Sequence, residues 1–245
     1  IKAMGDTIMI DGLVDVLADG DDTKNGKGAN EAVSAVASTI DIGGGTTDIA
    51  VYTNGAIRHT AVIPIAGDLI TRDLAQALRT PYNAAEYIKI NHGVALATGD
   101  GLDEMIEVPS VGDRSPRQIS RRVLASVIGP RVEEILELTR NELHRSGFPE
   151  EVLTSGVVLT GGASLLSGVV ELAEDVFNLP ARVGVPKEMG GLSERIRNPR
   201  YATAIGLLQT AAEYSSQHGT HNTVRQAAEG DSVFYRLKEW LKNNF

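Results

Sequence analysis

The chain has 245 residues, of which 42% are hydrophobic and 22% are charged, so it is long enough for one large or two small soluble domains with a real core. Its formal net charge of −9 argues against wholesale nucleic-acid binding, and the absence of cysteine excludes disulfides and thiolate chemistry. No apolar run approaches the about 18 residues that a transmembrane helix needs, so we predict no membrane-spanning helix.

Residues 1–36 are an unassigned acidic segment, in which residues 8–17 have enough aliphatic side chains for one short element. Residues 19–30, DGDDTKNGKGAN, are polar and contain glycine, which is typical of a loop or linker. An acidic run of this kind is usually a solvated surface, and we assign no chemistry to it.

Residues 39–63 are predicted to form two strands around a glycine turn and then a hairpin. A strand ends at Ile42, Gly43 to Gly45 follow, and residues 47–52 alternate with Ile49 and Val51 on one face. Asn54-Gly55 is a strong hairpin signal because both residues tolerate positive φ.

The glycine turn has the composition of a phosphate site. Backbone N–H groups of Gly43, Gly44 and Gly45 are free to point into one cavity, and Thr46 and Thr47 add hydroxyl donors. Asp41 places a carboxylate where a hydrated Mg²⁺ would bridge phosphates. The alternative is a tight hairpin whose glycines serve only positive φ, but the flanking Asp and Thr-Thr-Asp favour the phosphate site. A Walker A loop is excluded because no GK[ST] follows, and a dinucleotide fingerprint is poor because a strand follows the glycines.

Two helices are predicted next. Apolar residues between positions 69 and 78 recur at helical spacing, and Asn83 is expected to cap a helix over residues 84–91. Glu86 and Lys89 share a face of this second helix. They form either a solvated ion pair of little consequence or contacts to the ribose and base of a nucleotide.

Residues 99–115 are predicted to be extended or loop, and residues 117–145 to be helical, with Gly129-Pro130 kinking or dividing the helix. The helical region is rich in arginine. Such a face is either simply solvated or a docking site for an acidic peptide. Our candidates for docking are Arg117, Arg121, Arg122 and Arg131.

Residues 157–160 have the pattern of a short buried strand, and a second place where backbone can come close to a ligand is predicted directly after it. Gly161, Gly162 and Ala163 follow this strand and precede a helix expected over residues 165–177. The alternative is an ordinary strand–helix turn. A strand at residues 181–185 and a last core helix from Pro199 to Tyr214 complete this part.

Residues 215–231 are polar and aperiodic, which predicts a flexible linker, and residues 232–245 read SVFYRLKEWLKNNF. This last segment has a local charge of +2 and an apolar stripe at helical spacing. It is predicted to be an amphipathic helix in a membrane interface, although it could instead fold back onto the protein. The predicted membrane-contacting residues are Val233, Phe234, Leu237, Trp240, Leu241 and Phe245.

Taken together, these motifs resemble the actin/Hsp70/sugar-kinase ATPase superfamily and, within it, the bacterial cell-division FtsA family. DIGGGTTDIAVYTNGAIRHTAVIPIAGDLITRDLA is similar to the second phosphate loop, EYIKINHG to the adenosine-contacting helix, and GVVLTGGASLLSGVVELAEDVF to the adenosine motif. The amphipathic tail is similar to the membrane-targeting sequence of that family. The resemblance covers about residues 38–245.

The resemblance implies an α/β, actin-like (ribonuclease H-like) ATPase fold that binds ATP and Mg²⁺. It places Gly43, Gly44, Gly45, Thr46 and Thr47 at the phosphates, with Asp41 near Mg²⁺ through water. Further implied nucleotide contacts are Gly67 in the cleft, Glu86 and Lys89 at the ribose and adenine, and Gly161, Gly162 and Ala163 over the base.

The resemblance also implies a tether between division filaments and the membrane. Its partners would be the acidic C-terminal tail of FtsZ, an anionic membrane surface and further copies of the chain in actin-like filaments, but no nucleic acid. Its place would be the cytoplasmic face of the bacterial inner membrane at the septum. Residues 37–214 would be the subdomains of the second half, 2A with 2B inserted at about 67–150, followed by the linker and the tail helix.

The chain departs from this family in one respect. No first phosphate loop precedes Asp41, so we expect the second half of such a protein, either a fragment or an aberrant product, with weak ATP binding and at most weak ATPase activity. Two alternatives are half of a sugar or acetate kinase of the same superfamily and a nucleotide-free binding module.

Overall fold

A central mixed sheet is flanked by helices in the computed structural model, which describes residues 36–98, 101–112, 114–186 and 196–217. Short 3₁₀ turns at Gly162–Leu165 and Pro199–Tyr201 precede its last two helices. The strands and helices in chain order are β1 Val36–Ile42, β2 Thr47–Thr53, β3 Ala56–Ile63, α1 Gly67–Ala77, α2 Tyr82–His92, β4 Met105–Val108, β5 Arg117–Ser120, α3 Arg121–Arg145, β6 Val157–Thr160, α4 Val169–Phe177, β7 Ala181–Val183 and α5 Ala202–Gln217.

The main sheet has the strand order β3-β2-β1-β6-β7. The first three strands form an antiparallel meander, while β6 pairs parallel to β1 and β7 parallel to β6. In the central register, Ile40 lies opposite Ile49 on one side and Leu159 on the other. The ends of β1 and β6 therefore lie side by side, which brings the segments that follow them together.

The middle strands are buried on both faces. Ile49 and Val51 are buried, as predicted, but so are their neighbours Ala50 and Tyr52, so the alternation does not mark an exposed face. Each fully buried aliphatic side chain contributes about 1.5–3 kcal/mol. The Asn54-Gly55 hairpin is confirmed, with φ of 52° and 78° at the two residues.

Helix α2 and its N-cap begin two residues earlier than predicted. Pro81 is the N-cap, in an extended conformation with ψ 147°, and Asn83 lies inside the first turn. The prediction that Asn83 caps the helix is wrong because the ring of Pro81 already fixes the backbone at the helix entrance, and its carbonyl accepts from the Ala85 N–H.

Helix α3 is continuous, so the prediction that Gly129-Pro130 divides it is wrong, whereas a kink there stays a prediction. Gly129 has a different reason to be glycine: a Cβ there would lie 2.6 Å from the Ala95 carbonyl oxygen. The predicted start at residue 117 is also wrong, since Arg117–Ser120 pairs with Met105–Val108 in a separate two-stranded sheet.

The predicted helix over residues 165–177 is interrupted. Gly168 has φ 81° and lies against the Leu96 backbone, so the α-helical part begins only at Val169. The last helix is confirmed: a 3₁₀ turn opens at Pro199 and α5 continues to Gln217.

Several predictions lie outside the described residues. These are the acidic segment up to residue 35, most of the linker at 215–231 and the amphipathic helix at 232–245. Among the helices of the described part, not one has the length and hydropathy needed to cross a membrane.

Candidate functional site

The glycine turn after β1 and the Gly-Gly-Ala corner after β6 border one cavity of about 330 Å³. The volume is at the lower end of the range for small-molecule sites, about 300–1,000 Å³. Its lining combines the polar backbone of the glycine turn with the apolar side chains of Ile90, Leu165 and Leu166. The lining residues are Gly43, Gly44, Gly67, Asp68, Glu86, Lys89, Ile90, Gly93, Gly162, Ala163, Leu165, Leu166 and Arg200.

Helix α1 holds the glycine turn in place. The Gly67 and Asp68 N–H groups donate to the carbonyl oxygens of Gly43 and Gly44 at 3.0 and 2.8 Å. A Cβ on Gly67 would lie 3.0 Å from the Gly43 oxygen and 3.7 Å from the Ala163 Cβ. Gly67 is thus the point where turn, helix and corner meet, and its missing side chain permits this approach.

The backbone of the turn is not left-handed. None of Gly43, Gly44 and Gly45 has a positive φ. The alternative in which these glycines serve only positive φ therefore does not describe the turn. Gly44 and Gly45 are exposed, and a Cβ on Gly45 would meet nothing within 4 Å.

Glu86 and Lys89 line the cavity as a paired group. The Lys89 ammonium lies 2.8 Å from the Glu86 carboxylate and donates to the Thr71 hydroxyl at 2.8 Å and the Gly67 carbonyl at 3.1 Å. Lys89 is only 8% exposed, so this is not a solvated pair. The cation is instead anchored beside the Gly67 junction.

The charge of Glu86 is stabilised by these neighbours. Partial burial raises the pKa of Glu86, but hydrogen bonds from Lys89 and Thr71 and the charge of Lys89 outweigh it, so the pKa lies below its usual value. Glu86 is therefore ionised at neutral pH and remains an acceptor at the cavity edge.

Asp41, Thr46 and Thr47 lie beside the cavity but do not line it. The Thr47 hydroxyl donates to the Ile65 carbonyl at 2.7 Å, and Thr46 donates to Asp48 at 3.0 Å. Both hydroxyls that we predicted as phosphate donors are thus engaged within the chain. The remaining predicted residues, Gly45 and Gly161, also lie outside the lining.

Asp41 is a nearly buried carboxylate. Burial raises its pKa, the hydrogen bond from Thr203 lowers it, and the charge of Asp48 raises it again. Asp41 and Asp48 face each other across β1 and β2, and none of the ion pairs in the described residues includes Asp41.

Sequence reasoning missed Arg200, Asp68 and Thr203. Arg200 reaches the cavity from the 3₁₀ turn before α5, and Asp68 follows Gly67 on α1. Thr203 donates to Asp41 at 2.7 Å from 162 positions away. No local pattern marks Arg200 or Thr203, because their relevance depends on the packing of α5 beside β1.

The arginine-rich face is largely neutralised within the chain. Arg121 pairs with Glu104, Arg122 with Asp103, and Arg131 with Asp73 and Glu134. Arg117 is exposed on β5 and forms none of the ion pairs found among the described residues. The four candidates therefore do not present four free positive charges.

A family model for cell division protein FtsA matches residues 38–206. A cell division protein FtsA of Neisseria meningitidis serogroup B is 56% identical over 208 residues, covering 84% of this chain and 50% of that relative. The chain spans about half the length of the curated relatives it matches.

Solved structures give the fold. MreB5 of Spiroplasma citri bound to ADP is similar with a TM-score of 0.62 and 20% identity, over 86% of this chain and 61% of that one. The MamK double helical filament is similar with a TM-score of 0.57 and 18% identity, over 85% and 58% of the two chains. The fold is therefore actin-like, and the chain belongs to the FtsA family of cell division proteins.

Proposed function

We propose that this chain forms one wall of an ATP site in an actin-like protein of cell division. The observation that carries the proposal is the meeting of the glycine turn, the start of α1 and the Gly-Gly-Ala corner around one cavity with an anchored lysine. The similarity to an ADP-bound MreB5 supports a nucleotide as the occupant.

The two ends of the cavity differ in character and suggest how ATP lies in it. The bare turn at Gly43 and Gly44 suits phosphate oxygens, whereas Ile90, Leu165 and Leu166 offer an apolar wall to a base. Glu86 and Lys89 would contact the ribose and adenine between them. The base would rest against Gly162 and Ala163. The exposed Gly45 and Thr46 would extend the phosphate end of the site.

Magnesium fits the carboxylates behind the turn. Asp41 and Asp48 lie opposite each other, and the nearly buried Asp41 has no cation partner in the described part of the chain. Burial makes the charged form of Asp41 costly unless a cation lies near it. Asp41 would hold Mg²⁺ through water, and the ion would neutralise phosphate charge.

The role of ATP would be to favour assembly of the protein with further copies of itself, with at most weak hydrolysis. The likeness to a MamK double helical filament supports self-association. Within this proposal, residues 67–150 correspond to an inserted subdomain 2B in a larger 2A, and the separate β4–β5 sheet falls inside that range.

A binding experiment tests the ATP site. Gly67→Ala places a methyl 3.0 Å from the Gly43 oxygen and 3.5 Å from the Lys89 ammonium, so we expect ATP affinity to fall about tenfold. Fluorescent ATP titrated into the full chain with Mg²⁺ measures this. Ser126→Ala is the control, because Ser126 is exposed on α3 and does not line the cavity. Failure of the unmodified chain to bind millimolar ATP would contradict the proposal and favour a nucleotide-free binding module.

We further propose that the chain docks the acidic C-terminal tail of FtsZ on the arginine-rich face, at the cytoplasmic side of the inner membrane and at the septum. Membership of the FtsA family supports this partner. Arg121, Arg122 and Arg131 are all paired internally, but Arg122 and its partner Asp103 are both exposed. Arg117, which is exposed, and Arg122 are therefore the residues most accessible to a partner.

Charge reversal tests the docking face. Arg117→Glu together with Arg122→Glu should lower the affinity for an FtsZ-tail peptide about tenfold or more, measured by fluorescence anisotropy at low salt. Arg58→Glu together with Arg182→Glu is the matched control, because it reverses the same number of charges at exposed arginines on β3 and β7. Equal affinity of the docking-face variant and the control would remove this docking site.

A further inference from the structure

The first turn of α5 is connected directly to the end of β1. The Thr203 hydroxyl donates to one carboxylate oxygen of Asp41, Oδ2, at 2.7 Å. This contact joins the last described helix to the strand that leads into the glycine turn. Burial disfavours the charged form of Asp41 and raises its pKa, and the Thr203 hydrogen bond opposes that effect.

The other oxygen of the same carboxylate lies against bare backbone. A Cβ on Gly161 would fall 2.3 Å from Asp41 Oδ1 and 2.5 Å from the Ile42 carbonyl oxygen, and Gly161 has φ 84°. The carboxylate is therefore confined between a hydroxyl donor on one side and a glycine on the other. Movement of α5 would remove the donor without replacing it.

The residues just before α5 also border the site. The Pro199 carbonyl accepts from the Gly161 N–H at 3.3 Å, and Arg200 lines the cavity. Two hydrogen bonds, one to the Pro199 carbonyl and one from Thr203 to Asp41, thus hold the start of α5 beside the ends of β1 and β6. Of these, Thr203 is the one that holds a charged group.

We propose that Thr203 is a positioning residue, which orients the Asp41 carboxylate for a phosphate-bound divalent cation and ties the first turn of α5 to the glycine turn. The cation part of this inference rests on the proposed ATP site, whereas the tie between turn and helix does not. A threonine that served only as packing would be replaced by the isosteric valine without a specific effect on the cation.

The first measurement compares ATP affinity with Mg²⁺ and with EDTA in the full chain. In Thr203→Val the gain in affinity that Mg²⁺ provides should shrink about tenfold, while the affinity in EDTA stays within about twofold of the unmodified chain. Thr203→Ser should restore the gain. Thr210→Val is the matched control, because within the described residues the Thr210 hydroxyl donates inside α5, to the Gly206 carbonyl at 3.0 Å. Equal loss in Mg²⁺ and EDTA would overturn the positioning role.

The second measurement needs no nucleotide. Hydrogen exchange of the free chain should become about tenfold faster in Thr203→Val, both at residues 43–47 and in the first turns of α5, and should be unchanged in Thr203→Ser and Thr210→Val. Unchanged exchange at the turn would overturn the tie. If the unmodified chain binds no ATP, the proposed function and the cation role of Thr203 both fail. The hydrogen-exchange measurement still decides whether Thr203 connects α5 to the glycine turn.

Discussion

At the scale of single residues, Lys89 and Glu86 show how a surface-type pair becomes a structural one. Their separation of three positions on a helix is common on solvated faces, where such pairs contribute little. Here α1 covers the lysine, so its ammonium has a carboxylate, a hydroxyl and a carbonyl as partners. Removing one partner leaves the others around a cation that water scarcely reaches.

This arrangement makes stability depend on pH through Glu86. Its pKa in the folded chain lies below the ordinary 4.5, so its contribution is present above that value and is lost as pH falls through the folded pKa. Glu86→Gln should therefore lower the free energy of unfolding by about 1 kcal/mol at neutral pH, a figure reduced for its partial exposure. The difference should shrink below pH 4.5.

Urea unfolding at several pH values measures the effect. Glu107→Gln is the matched control, because Glu107 is exposed on β4 and forms none of the ion pairs in the described part of the chain. A Glu86→Gln variant whose destabilisation persisted unchanged into acid would show that its carboxylate charge is not responsible.

At the scale of elements, helix propensity and packing have opposite effects on stability at Gly129. Alanine in place of a mid-helix glycine ordinarily stabilises a helix by about 1 kcal/mol. A Cβ at Gly129 would lie 2.6 Å from the Ala95 oxygen, a backbone atom that cannot move aside cheaply. Gly129→Ala should therefore destabilise the chain by about 1–3 kcal/mol, measured by urea unfolding.

Ser126→Ala provides the comparison on the same helix. Ser126 is exposed on α3, and its replacement should change stability by a few tenths of a kcal/mol or slightly increase it. A stabilising Gly129→Ala would mean that α3 moves away from residue 95 at little cost.

The elements that could be predicted from the sequence are those that depend on nearby residues. The hairpin at Asn54-Gly55 and the apolar periodicity of α1 and α5 depend on nearby residues, and these elements form as expected. The interruption at Gly168 depends on Leu96, and the β5 strand depends on its pairing with β4. Such contacts are set by distant residues, so periodicity along the chain carries no sign of them.

The residues around the cavity also differ in whether they could be predicted from nearby sequence. Gly43, Gly67, Glu86 and Lys89 stand in recognisable motifs, and the fold brings them together at one place. Arg200 and Thr203 stand in the turn before a core helix and in that helix, and only the Thr203 bond to β1 and the Pro199 bond to Gly161 bring them near the cavity.

At the scale of the whole molecule, the sequence pairs an acidic body with a cationic tail. Residues 232–245 have a net charge of +2 in a chain of −9, and the predicted apolar stripe includes Trp240 and Leu241. The full chain should sediment with vesicles that contain anionic lipid and much less with neutral ones, and a chain without residues 232–245 should stay in solution.

Charge reversal separates the two contributions to this binding. Changing Arg236, Lys238 and Lys242 to glutamate keeps the apolar stripe but removes an attraction of about 1 kcal/mol per charge at an anionic surface. Sedimentation with neutral vesicles is the baseline for all variants. Equal sedimentation of the full and shortened chains would rule out the tail as the tether.

The parallel pairing of β1 with β6 has a consequence for synthesis on the ribosome. Ser38 pairs with Val157, 119 positions later. At about 5–20 residues per second, the antiparallel meander of β1, β2 and β3 can form on the order of ten seconds before β6 is available to pair with β1. During that interval the nascent chain exposes an unpaired, apolar strand, which is the kind of surface that chaperones recognise and that aggregates when they are absent.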